Sequence, residues 1–273
     1  MSTIATLITC HDRKCKTLAC LGRLCSQILP PGIMLAVYLV DDGSADGTAE
    51  AVAAAFPSVK IIAGSGDLFW SRGMRLAWEH AARENPDFYL WLNDDTLLFE
   101  GALEMLVATS RKSKNPRTIV VGSCCDPVTR ERTYGGQVRV SGHPAILRGV
   151  IPEATPVACD TFQSNVLLVP RAVYQKIGMI DRFQHAIGDT DYGYRAGMAG
   201  CSCLVAPGYV ASCEANHVRT YWVKGRPRME RWRLLNSRKG LPFRDWLQLS
   251  SRHGGPAWPI YWIRPYLRVL FNR

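Results

Sequence analysis

Short apolar runs alternate along the chain with stretches in which apolar residues recur roughly every three to four positions. Thr3–Thr9 (TIATLIT) and Met34–Val40 (MLAVYLV) read as buried strands, being brief, apolar and bounded by polar turns. Between them, Leu18, Leu21, Leu24 and Ile28 fall on one helical face. Ala49, Val52, Ala53 and Phe56 predict the next helix, and Val59–Ile62 the next strand. A loop at Gly64–Asp67 leads into a helix with Met74, Ala77, Trp78 and Ala81 on one side. Phe88–Leu92 is another buried strand, and Leu103, Leu106 and Val107 mark the helix after it. This order predicts an α/β fold with a Rossmann-like, mostly parallel central sheet flanked by helices, whose ligand lies at the carboxyl ends of the strands. Thr9–Asp12, Asp41–Ser44 and Asn93–Asp95 then share one rim.

The second half changes character. Ile119–Cys125, Tyr134–Val140, Ile146–Val150 and Val166–Val169 read as shorter strands joined by Gly and Pro turns. Helices are expected near Ala172–Ile177 and Asp191–Ala199, which makes this an α+β extension of the same sheet. From Tyr221 onward Arg and Lys are interleaved with Trp, Tyr and Leu, and no clean strand pattern remains.

Composition narrows the function classes. With 47% hydrophobic and 21% charged residues among 273, the chain buries a sizeable core and is not disordered. Charge is uneven: residues 1–216 hold 20 Lys and Arg against 21 Asp and Glu, whereas residues 217–273 hold 13 against 2. A basic segment of that kind suits phosphate-bearing partners. The ten cysteines show no C-x-x-C pair and no signal peptide precedes them, so reduced thiols in a cytosolic protein are expected. No apolar run approaches the roughly 20 residues of a spanning helix, so membrane contact is expected to be peripheral.

Two acidic turns follow strands. In Asp41-Asp42-Gly43-Ser44 a carboxylate can accept from a base N–H or a ribose hydroxyl, and Gly43 permits the tight turn; a helix-capping role for Ser44 or Asp46 is the alternative. In Asn93-Asp94-Asp95 two adjacent acids repel unless a cation or hydrogen-bond donors relieve them. A divalent metal bridging a diphosphate would do so, and a helix N-terminus is the other reading. Asp189 and Asp191 in Gly188–Arg195 (GDTDYGYR) admit a base or a capping role.

Taken in order, L-V-D-D-G-S (Leu39–Ser44), L-W-L-N-D-D-T (Leu90–Thr96), G-D-T-D-Y-G-Y-R and the late His217 resemble the family 2 glycosyltransferases of GT-A fold. Gly66–Met74 (GDLFWSRGM) and Arg238–Trp246 (RKGLPFRDW) look like the bacterial rhamnosyltransferase branch that builds surface polysaccharides. The resemblance implies a catalytic domain over 1–217, with a nucleotide-sugar half (1–115) and an acceptor half (116–217), followed by a basic, aromatic extension (218–273). It implies that Asp42 contacts the nucleotide base beside Thr9, with Asp67, Arg72, Arg75 and Asp94 also facing the sugar nucleotide. Asp95 and His217 would hold Mg²⁺ or Mn²⁺, Asp189 would be the general base, and Asp191 would orient the acceptor. Asn93 replaces the commoner acid of the metal motif, Gly188 replaces the first acid of the base motif, and Arg75 stands where Asn is frequent.

The expected activity is therefore metal-dependent, inverting transfer of a sugar, with rhamnose from dTDP-rhamnose favoured and UDP-sugars as the alternative donors, to a hydroxyl of a lipid-linked saccharide. Tail aromatics among basic residues suit an anionic membrane at the inner face of the cell membrane, ahead of nucleic acid, which is not expected. Packing of the tail onto the catalytic domain is the plainer alternative. A sugar-nucleotide nucleotidyltransferase would want a Gly-rich basic loop after the first strand, which Cys10-His11-Asp12-Arg13 does not provide. A catalytically silent carbohydrate-binding or scaffolding protein would not need both acidic motifs.

Overall fold

Along the first third run β1 (Ser2–Cys10), α1 (Lys14–Cys25), β2 (Ile33–Asp41), α2 (Thr48–Ala55), β3 (Lys60–Ala63), α3 (Phe69–Ala82) and β4 (Phe88–Leu92). The protein is seen as a computed structural model that describes residues 1–184, 187–215, 225–238 and 240–271. β1 pairs in parallel with both β2 and β4, and β2 with β3, so the carboxyl ends of four strands point the same way. Alternate residues of each strand serve opposite layers, as a pleated strand requires. Ile4 and Ile8 of β1 pack with Leu21, Leu24 and Leu103 on one face, while Ala5 and Leu7 pack with Met74, Ala77 and Trp78 on the other.

The chain continues through β5 (Leu97–Leu98), α4 (Ala102–Lys112), β6 (Thr118–Cys125), β7 (Arg132–Tyr134), β8 (Gly136–Arg139), β9 (Leu147–Gly149), β10 (Val157–Ala158) and β11 (Thr161–Phe162). Then come β12 (Val166–Pro170), α5 (Arg171–Ile177), α6 (Gly188–Met198) and β13 (Ser202–Ser212). The main sheet runs β10-β13-β6-β12-β4-β1-β2-β3, with β12 antiparallel between β4 and β6; a small second sheet is formed by β11, β8 and β9. The continuous strand expected over Tyr134–Val140 is two strands. Gly135, at φ +141°, breaks it, and a Cβ there would lie 2.7 Å from Ser123 Oγ.

An aromatic cluster fixes the second half against the first. Trp78 of α3 meets Tyr89 and Trp91 of β4, Tyr174 of α5 and Tyr192 of α6, with ring centroids 5.1–5.8 Å apart. Such ring pairs add about 0.5–1.5 kcal/mol each beyond area burial, so α6 and the acids at its start are held firmly to the sheet.

Where the sequence shows no strand period, the described residues of the tail form the α-helices α7 (Arg228–Leu235), α8 (Phe243–His253) and α9 (Trp258–Phe271), with a 3-10 turn at Gly255–Ala257 between the last two. Leu235, Trp246, Leu249, Tyr266 and Val269 make a separate small core, against which Ile187 of the catalytic half also packs. The plainer expectation for the tail is thus realised for Trp246 and Tyr266, which face protein. Trp222 lies outside the described residues.

Candidate active site

At the end of β2, the buried Asp42 carboxylate accepts backbone N–H groups from Gly66 (2.8 Å), Leu68 (2.9 Å) and Phe69 (3.0 Å). Phe69 sits in the left-handed region at φ +57°, a conformation that costs about 1–3 kcal/mol in a non-glycine residue. Charge-assisted hydrogen bonds, each worth about 1.5–3 kcal/mol, hold it there. Asp42 therefore moulds the loop at 66–69 onto the strand end, and any contact with a nucleotide must share oxygens already in use. Thr9 lies against the first turns of α3: a Cβ on Gly73 would come within 2.3 Å of its Oγ1, so only glycine permits that approach.

At the end of β4, Asn93 Oδ1 accepts from the Trp70 indole N–H (2.7 Å), which locks α3 to the strand. The repulsion expected between Asp94 and Asp95 is relieved by a side chain. Arg13 Nη1 donates to Asp94 Oδ1 (3.0 Å) and to Asp95 Oδ2 (2.9 Å). Burial pushes the Asp94 carboxyl up to about 6, with Arg13 pulling it down and Asp95 adding to the rise. Asp94 Oδ2 is buried without a hydrogen-bond partner. On the other side of Asp95, Cys213 Sγ lies 3.6 Å from Oδ1; burial, with the Asp95 charge, pushes that thiol to about 12, so it is an S–H donor and not a thiolate. A cavity of about 290 Å³ opens there between Cys15, Lys16, Leu97 and Cys213.

Beside β4, the segment before β12 carries the link to the second acidic motif. Asn93 N donates to Asn165 O (3.0 Å), and Asn165 Nδ2 donates to Thr96 Oγ1 (3.1 Å). The neighbouring Ser164 donates from its backbone N–H to Asp189 Oδ2 (3.2 Å), and Asp189 Oδ1 accepts from Thr190 N (2.8 Å). Asp189 thus stands at the first turn of α6, on the same rim as the Asp94–Asp95 pair and one residue pair away from it through Ser164–Asn165. Burial raises its carboxyl above the ordinary value, against the N–H groups of Ser164 and Thr190.

The family model for glycosyl transferase family 2 matches residues 6–162, more than half of the chain. The chain belongs to that family. Among solved structures, this family 2 glycosyltransferase is similar to S. aureus TarS 1–349, at 11% identity and TM-score 0.60, over all of this chain and 73% of that one. It is also similar to GalNAc-T7 crystallised with UDP, GalNAc and Mn²⁺, at 12% identity and TM-score 0.62, over 97% of this chain and 54% of that one. The likeness confirms the GT-A fold. A comparison with curated protein sequences finds no match.

In this family 2 glycosyltransferase several expected contacts are taken up inside the protein. Asp191 is fully buried: Oδ2 accepts from Arg195 Nε (2.8 Å), and Oδ1 from Arg252 Nη1 (3.1 Å) and His253 Nε2 (2.9 Å). It therefore faces α8 and offers no oxygen to an acceptor on the rim. Arg75 is committed to Glu79 Oε1 (2.9 Å) and to the carbonyl of Ile180 (2.8 Å), bracing the segment that leads to Asp189. Arg72 caps its own helix through the Leu68 carbonyl (3.1 Å) and also donates to the Asp67 carbonyl. Asp67 is exposed and accepts from Arg238 Nη2 (2.7 Å), whose guanidinium lies 3.7 Å from the Phe69 ring centre. His217 lies outside the described residues. Sequence reasoning passed over Arg13 as a site residue, although it lies three positions past the end of β1. Ser164, Asn165, Arg252 and His253 carry no motif, and only the fold brings them to the site.

Proposed function

We propose that this glycosyltransferase moves a sugar, rhamnose from dTDP-rhamnose in the favoured case, from a sugar nucleotide to a hydroxyl of a lipid-linked saccharide, by single displacement with inversion. The observation that carries this reading is the half-buried Asp189 carboxylate, raised by burial above its ordinary value and fastened on the same rim as Asp94 and Asp95. In the displacement the acceptor oxygen bonds to the anomeric carbon, the bond from that carbon to the diphosphate breaks, and the hydroxyl proton passes to the Asp189 carboxylate. Ser164 and Thr190 hold that carboxylate in place, and Asp191 keeps α6 seated through α8. The GT-A division at 1–115 and 116–217 follows the same logic, with the donor on the β1–β4 side and the acceptor near Asp189.

A divalent cation, Mg²⁺ or Mn²⁺, suits the residues present. Asp94 and Asp95 offer hard carboxylate oxygens, and one of them, Asp94 Oδ2, is buried with no partner. Among the described residues no three His, Cys, Asp or Glu side chains converge as a closed cage; Asp95, with Asp94 beside it, would hold the ion together with diphosphate and water oxygens, and His217, the other expected ligand, lies outside the described residues. When bound, the ion neutralises the leaving diphosphate. A thermal-shift series tests the reading: dTDP-rhamnose or a UDP-sugar at a hundredfold excess over its Kd should raise Tm by about 5 °C or more, and only with Mn²⁺ or Mg²⁺. Absence of any metal-dependent shift across both donor classes overturns it.

The extension is proposed to rest on an anionic membrane where the lipid-linked acceptor resides, at the inner face of the cell membrane. Among the described residues no helix is long and apolar enough to cross a bilayer. α9 exposes Ile260, Leu267, Leu270 and Phe271 along one side, with Arg264 and Arg268 between them in sequence. Apolar residues with interspersed guanidinium groups match a headgroup layer. The protein should float with phosphatidylserine vesicles and not with phosphatidylcholine alone, and Ile260→Glu with Leu267→Glu should abolish the binding. Equal recovery with both vesicle types rules out the anionic surface.

A further inference from the structure

Arg13 occupies an unusual place among the cations of the rim. It is the last residue before α1, and its backbone is pinned where the helix begins: Thr17 N donates to its carbonyl (2.9 Å), and the next residue, Lys14, donates from its backbone N–H to Asp46 Oδ2 (2.9 Å). From that fixed base a single nitrogen, Nη1, bridges two carboxylates of adjacent residues. Nε and Nη2 meet no partner among the described residues, and the side chain is 38% exposed on the open rim. A guanidinium is permanently charged and carries five N–H groups in a planar fork, so the arrangement leaves unpaired donors of the kind that match phosphate oxygens.

The same two carboxylates are the oxygens that would hold a divalent cation. With Arg13 on Asp94 Oδ1 and Asp95 Oδ2, a cation drawn to the same carboxylates, the unpartnered Asp94 Oδ2 included, would stand close beside the guanidinium, and the two positive charges repel. Displacing Arg13 without a ligand for it strands a cation; displacing it when a diphosphate is present gives the fork a new anionic partner. We propose that Arg13 is a tethered counter-ion that makes metal binding conditional on the diphosphate: it guards the acidic pair in the empty protein and transfers to the diphosphate when the metal takes the carboxylates. This rests on the sugar-nucleotide reading above and extends it to the order of assembly. Since coupling between two ligands is reciprocal, the nucleotide tightens the metal by the factor by which the metal tightens the nucleotide.

The test measures Mn²⁺ affinity directly, from the electron paramagnetic resonance signal of free Mn²⁺, with no turnover required. Native protein, Arg13→Met, Arg13→Lys and Asp95→Asn are titrated alone and with saturating UDP or dTDP. Native protein should bind Mn²⁺ weakly alone and about tenfold or more tightly with a nucleoside diphosphate, inside the roughly 5–150-fold range usual for coupled sites. Arg13→Met should bind Mn²⁺ alone about tenfold more tightly than native protein and lose most of the nucleotide effect. Arg13→Lys, which keeps the charge and loses the fork, should fall between them, and Asp95→Asn should bind poorly throughout. If Arg13→Met binds Mn²⁺ alone no better than native protein while remaining folded by circular dichroism, the counter-ion role is overturned and the sugar-nucleotide reading stands. If Arg13→Met is unfolded, Arg13→Lys decides: unchanged Mn²⁺ affinity and unchanged nucleotide coupling overturn the role. If no protein binds Mn²⁺ under any condition, both readings fall together.

Discussion

Asp189→Asn should lower turnover by about 10²–10⁴-fold, the usual contribution of a positioned general base, while leaving donor binding within a fewfold of native. The change keeps the shape of the side chain but only one accepting oxygen, so either the Ser164 or the Thr190 contact is lost; an unchanged Tm beside the loss of turnover shows that the helix start stays in place and that the loss reports proton transfer. Separate kcat and donor-KM measurements check this, and near-native turnover with the true acceptor would remove Asp189 as base. The pH profile gives a second readout. Burial raises the Asp189 carboxyl above its ordinary value of 3.8, and the base works only when ionised. The acid limb of kcat/KM should therefore fall at a pH above 3.8 and vanish from the residual activity of Asp189→Asn.

Asp191→Ala should cost about 3 kcal/mol of stability, read as a lower denaturation midpoint in urea. It leaves the Arg195 and Arg252 guanidinium groups and His253 facing a gap at the junction of α6 and α8. Breaking a buried pair by removing one partner costs about 3–5 kcal/mol, and the low end applies because Arg252 is 39% exposed and still pairs with Asp181 (2.6 Å). Burial alone would raise the Asp191 carboxyl; the His253 hydrogen bond and the charges of Arg195 and Arg252 outweigh it and hold the carboxyl below 3.8. A carboxyl depressed in the folded state contributes fully above its unfolded value and loses that contribution as pH falls through the folded one. Native protein should therefore shed stability below pH 3.8, and Asp191→Ala should shed less over that window. Equal midpoints at neutral pH would show that the cluster does not join the two parts.

The strand–helix alternation of residues 3–112 was legible because each element buries one face, and apolar period reports that directly. The rim was legible for the same reason: polar residues ending apolar strands, as at Asp41–Ser44 and Asn93–Asp95, have few other places to go. What the sequence did not reveal is which carboxylates are free. Asp189 and Asp191 are two residues apart and both in the first turn of α6, yet one meets the rim and the other is saturated by cations from a helix some sixty positions later. Nothing local separates them. Helix geometry turns them about 200° apart, and the arrival of α8 decides which is covered. The tail misled in a related way. Its mixture of Trp and Arg carries no strand period, and its helices show themselves only when Trp246 and Tyr266 find one another across α8 and α9.

The bond from Arg238 to Asp67 and the pairing of Asp191 with Arg252 and His253 have a consequence for the living cell. A ribosome delivers the rim, α6 and Asp189 well before residues 238–253 leave its tunnel. Until then, Asp191 has only Arg195 beside it, and the 66–69 loop lacks the guanidinium stacked on Phe69. The 66–69 loop and the start of α6 therefore gain their last partners only when the end of the polypeptide has emerged.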